Sequence, residues 1–306
     1  MVYTMRVDFS NSSSAKAAMK RRRLWEQVTI REMGEMNKIT KLFGLGVCAL
    51  GLSVLSQSAS ADVVKDIVKR GELRVAVQTQ GPPISYVDTK GNRTGFAVEL
   101  VAMMAKDIGV KLKLLDYDWK GLIPAVTSGK ADFLAADMTP KATRALVLNF
   151  TLPYMYSRNV IYAKKSKPFT KWQDACVKGM SVAVTQGSSN IAVLKAKCPL
   201  ATIKEFAGGG PAVAQAVAAD RVDAGINDEA SAKGYMIEYP EFHILEGAPD
   251  RGPLSFATRP EETHLIRWMD NYLLLIKADG RLDKLKDYWM FSTKWKEEKT
   301  PVPKKK

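Results

Sequence analysis

Past Asp62 the chain alternates between short β-rich runs and segments of helical period. "ELRVAVQ" (72–78) predicts a strand, and "GFAVELVAMMAKDIG" (95–109) a helix with Phe96, Leu100, Met104 and Ile108 on one face. "VKLKLLDY" reads as a strand, "WKGLIPAVTSG" as a short helix and "ADFLAAD" as a strand again. After "NVIYAKK" the theme restarts with the strand "SVAVTQG", the helix "NIAVLKAK", "ATIKEF", a "GGGP" turn, the helix "AVAQAVAAD" and "VDAGIND". The end is helical, from "ETHLIRWMDNYLLLIKADG" to "RLDKLKDYWM". Such alternation predicts an α/β architecture. Met103 and Met104 read as core filler.

Two echoes suggest that the halves share a topology. "VAVQTQG" (75–81) resembles "VAVTQG" (182–187), each a strand running into a glycine turn. "GKADFLAAD" (129–137) resembles "DRVDAGIND" (220–228), with one Asp at the strand start and another five residues on. Asp137 and Asp228 then stand at matching strand ends. In open α/β sheets ligands bind beyond those ends, so both carboxylates are expected to face a gap between lobes.

The N-terminus differs from the rest. From Met36 a basic "MNKITK" leads into the apolar "LFGLGVCALGLSVL" and a small-residue site, Ala59-Ser60-Ala61. These are the parts of a secretory signal peptide, 36–61, cleaved after Ala61. The apolar run falls short of the roughly 20 residues of a membrane span, and Val47 before Cys48 disfavours lipid attachment there. Residues 1–35 have no clear period and read as an upstream extension outside the native start, or as a disordered segment. Residues 1–61 hold nine Lys/Arg and four Asp/Glu, so the +14 of the full chain becomes +9. No aromatic-interleaved basic cluster accompanies that charge, and nucleic acid is not expected as a partner. The surplus is read as solvated helix faces and the "KWKEEKTPVPKKK" tail. In an oxidising compartment the two remaining cysteines, Cys176 and Cys198, are expected to pair. Cys176 precedes the strand "MSVAVTQ" and Cys198 follows the helix returning beside it, so both lie at one end of that unit.

A cleft with these residues has a recognisable chemistry. Arg144 offers a planar fork of donors for a carboxylate. Thr139 and Ser189 supply hydroxyls, "QGSSN" puts Gly187 and Ser188 at a helix N-terminus, and Asp228 can accept from an ammonium. Trp119 can form an apolar wall. An Arg facing an Asp matches the two charged ends of an α-amino acid. The residues alone equally allow Arg144 to pair with a surface acid and Asp228 to cap the helix beginning at "EASA".

"GFAVEL", "WKGLIPAVTSGKADFLAADMTPKATRALVLNFTLPY", "VAVTQGSSN", "DRVDAGINDE" and "ADGRLDKLKDYW" resemble, in order, the motifs of the family 3 periplasmic solute-binding proteins. These are the polar amino-acid receptors of ABC importers. The resemblance spans essentially all of 62–292. It implies that Arg144 holds a ligand carboxylate, that Asp228 binds its α-amine, and that Thr139, Ser189 and Trp119 line the pocket. Three departures stand out. Glu99 replaces the usual Asp, Lys141 and Thr143 replace Thr and Glu, and Gly81 and Ile84 stand where an aromatic is common, implying a more open first wall.

The implied fold is the two-lobe, type II periplasmic-binding-protein fold, each lobe a mixed sheet flanked by helices. Lobe 1 would be 62–163 plus 253–306 and lobe 2 would be 164–252, with "NVIYAKK" and "PLSFATR" as the two-strand hinge. The implied function is periplasmic capture of an amino-acid-like ligand by a monomer that serves an inner-membrane ABC permease, with no cofactor or metal. The alternative is a cyclohexadienyl dehydratase-like enzyme on the same fold, for which Asp137 or Glu229 would be the acid. Asp137 itself raises the question of what neutralises it: Arg144, Lys141 or a cationic ligand.

Overall fold

The computed structural model describes residues 62–292 and 294–298. The leader expected over 36–61, Cys48, the stretch 1–35 and most of the basic tail lie outside the described residues. The chain begins with α1 (Val63–Arg70), β1 (Glu72–Val77), the hairpin β2 (Tyr86–Val87) and β3 (Arg93–Thr94), α2 (Phe96–Asp107) and β4 (Lys111–Asp116). It continues through α3 (Trp119–Thr127), β5 (Phe133–Met138), a one-turn α4 (Ala142–Ala145), β6 (Asn149–Phe150) and the long β7 (Met155–Lys164). Next come β8 (Ser181–Thr185), α5 (Asn190–Lys197), β9 (Thr202–Phe206), α6 (Gly209–Ala218), β10 (Ala224–Asp228), α7 (Glu229–Glu238), β11 (Phe242–Ile244) and β12 (Asp250–Thr258). Last are α8 (Thr263–Ala278), α9 (Arg281–Lys286), a π-helical turn over Asp287–Phe291 and α10 (Lys294–Glu298).

The main sheet runs β4-β1-β5-β12-β7-β10-β8-β9. It is two similar halves laid end to end. In the first, parallel β4, β1 and β5 are bordered by antiparallel β12. In the second, parallel β9, β8 and β10 are bordered by antiparallel β7. The repeated aspartates at the strand starts do the same job in each. Asp132 accepts from the Arg74 backbone amide of β1 at 2.8 Å, and Asp223 from the Ser181 amide of β8 at 2.9 Å. Each acid also meets cations, Arg70 and Arg74 in one half and Lys167 in the other.

The halves meet where β7 and β12 pair with each other, Met155–Asn159 against Asp250–Leu254. The expected hinge stretches sit on these same strands, one step further along. Asn159–Ala163 already belongs to the second sheet, beside β10, and Ser255–Thr258 to the first, beside β5 and β6.

Each half has its own core. Alternation along the strands puts Val75, Val77, Phe133 and Ala135 on one face, against Phe96, Leu100 and Met104 of α2 and Met269, Leu273 and Ile276 of α8. Ala76, Leu134 and Ala136 face the other way, onto Leu122 and Val126 of α3. In the second half Tyr162, Ala183, Val213 and Tyr235 pack on one face, and Ile161, Val182, Leu194 and Ile226 on the other. Two sequence readings gain a physical account. Glu99 accepts from the buried Trp289 indole at 2.9 Å, a bond that ties α2 to the C-terminal helices. The start of the basic tail is not simply solvated, because Trp295 is buried in the first core.

Cys176, in a 3-10 turn over Trp172–Cys176, is bonded to Cys198 at the end of α5. The bridge closes a loop with a sequence separation of 22, worth about 3 kcal/mol by loop-closure entropy. It sits in the second core, away from the strand ends that face the first half. Reductant is therefore expected to lower the melting temperature of the ligand-free protein. Titration of unfolded, unreduced protein should find neither of these cysteines as a free thiol, and two free thiols would contradict the pairing.

Candidate functional site

The carboxyl ends of the parallel strands in both halves converge on one cavity of about 40 Å³. From the first half come Gln78 and Gln80 after β1, Trp119 opening α3, and Asp137 and Thr139 at the end of β5. From the second come Thr185 at the end of β8, Ser188 and Ser189 leading into α5, and Asn227 and Asp228 closing β10. Six of the seven residues expected to bind ligand thus share one wall set: Trp119, Asp137, Thr139, Ser188, Ser189 and Asp228. Arg144 is one step outside the lining. Its guanidinium lies 5.5 Å from the Trp119 ring centre and donates to the Thr139 carbonyl at 3.0 Å, so two lining residues hold it beside the cavity.

Both alternatives open to these residues fail in the structure. Among the described residues no carboxylate pairs with Arg144, and burial pulls its pKa down, as expected for a cation without a counter-ion. Asp228 stands at the start of α7, yet its side chain makes no capping bond. It is free to face the cavity.

The acids are unusual. Asp137 is 4% exposed and sits in the left-handed backbone region, φ 52°, which aspartate tolerates better than most residues. The Tyr154 hydroxyl donates to its Oδ1, while Oδ2 is buried without a partner. Burial pushes the Asp137 carboxyl up to about 6. Burial first, and then the charge of Asp137, push Asp228 up to about 7 against the bond that it accepts from Ser157. Other polar atoms are stranded around them: Gln78 Nε2, Gln80 Oε1, Ser188 Oγ and Asn190 Oδ1. Buried polar groups normally find partners, and such a concentration in one cavity marks a binding site.

The halves are held shut over it. Trp119 Nε1 donates to the Gly187 carbonyl at 3.1 Å, and the Tyr235 hydroxyl to the Gln80 carbonyl at 2.7 Å. Tyr235 also overturns one expectation. The wall near Gly81 is not open, because a Cβ on Gly81 would lie 2.9 Å from the Tyr235 ring, which fills that space from the other half. Gly234, one residue earlier on α7, lets the helix meet the Pro82 carbonyl: a Cβ there would come within 1.6 Å of it. The cavity has room for about three waters by the usual measure. Admitting an amino acid requires the halves to part and reclose.

A larger groove of about 780 Å³ lies by the crossing strands, lined by Leu152, Tyr156 and Leu274 among others. None of the stranded polar atoms faces it. Glu229 is on that side, gripped by Arg158 at 2.8 Å and bonded to Lys233, which hold it down to about 2. A carboxylate so held cannot serve as a proton donor.

Sequence reasoning overlooked Gln78, Gln80, Asn190 and Asn227. The signal was present for Gln78: in the echo between "VAVQTQG" and "VAVTQG" it takes the place of Thr185 at the strand end.

Residues 73–292 match the profile of the bacterial extracellular solute-binding proteins, family 3. The chain belongs to that family. A probable amino-acid ABC transporter-binding protein of Haemophilus influenzae is 27% identical over 257 residues, 83% of this chain and 97% of that protein. Among solved structures, a putative ABC transporter binding component from Wolinella succinogenes, complexed with lysine, is 31% identical with a TM-score of 0.69. It covers 74% of this chain and 99% of that one. The ancestral amino acid-binding protein AncCDT-1, a precursor of cyclohexadienyl dehydratase, has the same identity, coverage and TM-score. These neighbours are type II periplasmic binding proteins, and the two halves are the lobes of that fold. The chain has the substrate-binding role of an ABC importer. Among the described residues no helix is long and apolar enough to cross a membrane.

The raised acids set a pH dependence. A carboxyl whose pKa is raised on folding stabilises the fold fully below its unfolded value, near 4, and that contribution is lost as pH rises through the folded value. For Asp137 and Asp228 the loss falls across about pH 4 to 7. Asp137→Asn removes one acid. Ligand-free wild type is therefore expected to lose melting temperature relative to that variant as pH rises from about 4 to 7. Parallel curves would contradict the buried, uncompensated pair.

Proposed function

We propose that this protein captures a polar amino acid in the periplasm by closing its lobes on it and delivers it to an inner-membrane ABC permease. Arg144 takes the ligand carboxylate, Asp228 its α-ammonium, and Thr139, Ser188 and Ser189 the remaining carboxylate and amine hydrogen bonds. Arg144 and Asp228 belong to opposite lobes, so a ligand held by both favours the closed form. The observation that carries this reading is the pair of carboxylates in the inter-lobe cavity, Asp137 buried and Asp228 half-buried, neither of them in an ion pair among the described residues. A ligand ammonium supplies that cation, and the guanidinium stacked on Trp119 awaits the other end.

The lobe boundaries we infer are 62–163 with 253 onward, and 164–252, joined through β7 and β12. The separation of the cores supports this division. Export through a leader cleaved after Ala61, and action as a monomer without nucleic acid, cofactor or metal, complete the proposal. We favour binding over dehydration, because Glu229, one of the two acids the enzyme reading offers, is held ionised outside the cavity.

Removing one partner of a buried charged pair costs about 2–5 kcal/mol. Arg144→Ala is therefore expected to weaken binding of the best amino-acid ligand by about two orders of magnitude or more, with the ligand-free melting temperature little changed. Calorimetry that finds near-wild-type affinity would overturn the assignment of Arg144.

A further inference from the structure

Asp137 has no counterpart in a site that needs only one carboxylate for one ammonium. No side chain near it neutralises it among the described residues. Lys141, four residues on, turns away to Asp250 at 3.8 Å. Arg144 spends one nitrogen on the Thr139 carbonyl and its face on Trp119, with no bond to Asp137. Tyr154 donates one neutral hydrogen bond to Oδ1 and carries no charge. Oδ2 therefore remains buried, unpartnered and in the cavity.

The charge balance follows. Asp137, Asp228 and Arg144 sum to one negative charge when ionised. A zwitterionic amino acid with a neutral side chain adds nothing and leaves that charge buried, which is costly. A ligand with a second cationic nitrogen brings the total to zero. Two of the other stranded atoms, Gln80 Oε1 and Asn190 Oδ1, are also acceptors without donors, while Gln78 Nε2 is a donor. Gln80 Nε2 bonds to the Ala136 carbonyl at 3.2 Å, which sets this amide beside the backbone of Asp137.

We propose that the ligand is an α-amino acid with a cationic side chain, and that Asp137 is the residue that selects it, through Oδ2 and with Gln80 alongside. The proposal rests on the binding reading above and narrows its substrate to donor-rich, net-positive amino acids. At pH 7.5 the carboxyl that burial raises to about 6 is ionised and ready to accept.

The test is calorimetry at pH 7.5 with arginine, lysine and ornithine against glutamine, and with citrulline as the neutral isostere of arginine. The best basic ligand should bind at least about tenfold more tightly than glutamine, and arginine at least about tenfold more tightly than citrulline. Asp137→Asn should reduce the basic preference to about threefold or less. The arginine–citrulline comparison needs only wild-type protein, so it decides the matter if the variant fails to fold. Glutamine or citrulline binding as well as the basic set would overturn the inference while leaving amino-acid capture intact. An Asp137→Asn variant that keeps the wild-type preference would do the same. If no amino acid binds at all, both readings fall.

Discussion

Two carboxylates at opposing strand ends, Asp137 buried and Asp228 half-buried, line one cavity with no ion-pair partner among the described residues, and much of the site's construction follows from that constraint. Burial favours their neutral forms, and their proximity makes it harder for both to ionise together. Such an arrangement destabilises the empty closed site and is relieved by a positively charged guest. The unpaired acids thus make closure sensitive to what is inside.

The fold delivers this by repetition. Each half places an aspartate at the start of its third parallel strand to hold the neighbouring strand's amide, and a second aspartate five residues later at the ligand end. The structural copies are satisfied by cations, while the copies at the ligand end are not. Joining the halves through β7 and β12 brings the two ligand-end acids to one cavity. Glycines permit the final approach. On α6, a Cβ at Gly210 would lie 2.0 Å from the Tyr235 hydroxyl, so only glycine lets that helix start meet the tyrosine bonded to Gln80.

Much of this was legible in the sequence, because periodicity and short-range repeats record the core faces and strand ends. The apolar runs Val75–Val77 and Phe133–Ala136 predict strands, and the echoing aspartates predict the facing ends. β12 was legible only in part, since Gly252 and Pro253 interrupt its β-rich pattern. The 8-residue α1 is too short for its two buried residues, Val63 and Ile67, to announce a period. Tyr235 was hidden for another reason: a residue that crosses to the opposite lobe leaves no local pattern. The fate of Lys141 and Arg144 likewise depended on three-dimensional neighbours, Asp250 and Trp119, that spacing alone does not reveal.

The central claim, that a cationic ligand bridges the lobes and closes them, is tested most directly by an inter-lobe distance. Labels at the exposed positions Lys106, on α2, and Glu205, on β9, report on the first and second halves. Arginine at saturation should shift a broad or long distance distribution to a single shorter one, and Arg144→Ala should blunt the shift at the same concentration. A distribution that arginine leaves unchanged in wild-type protein would contradict the account.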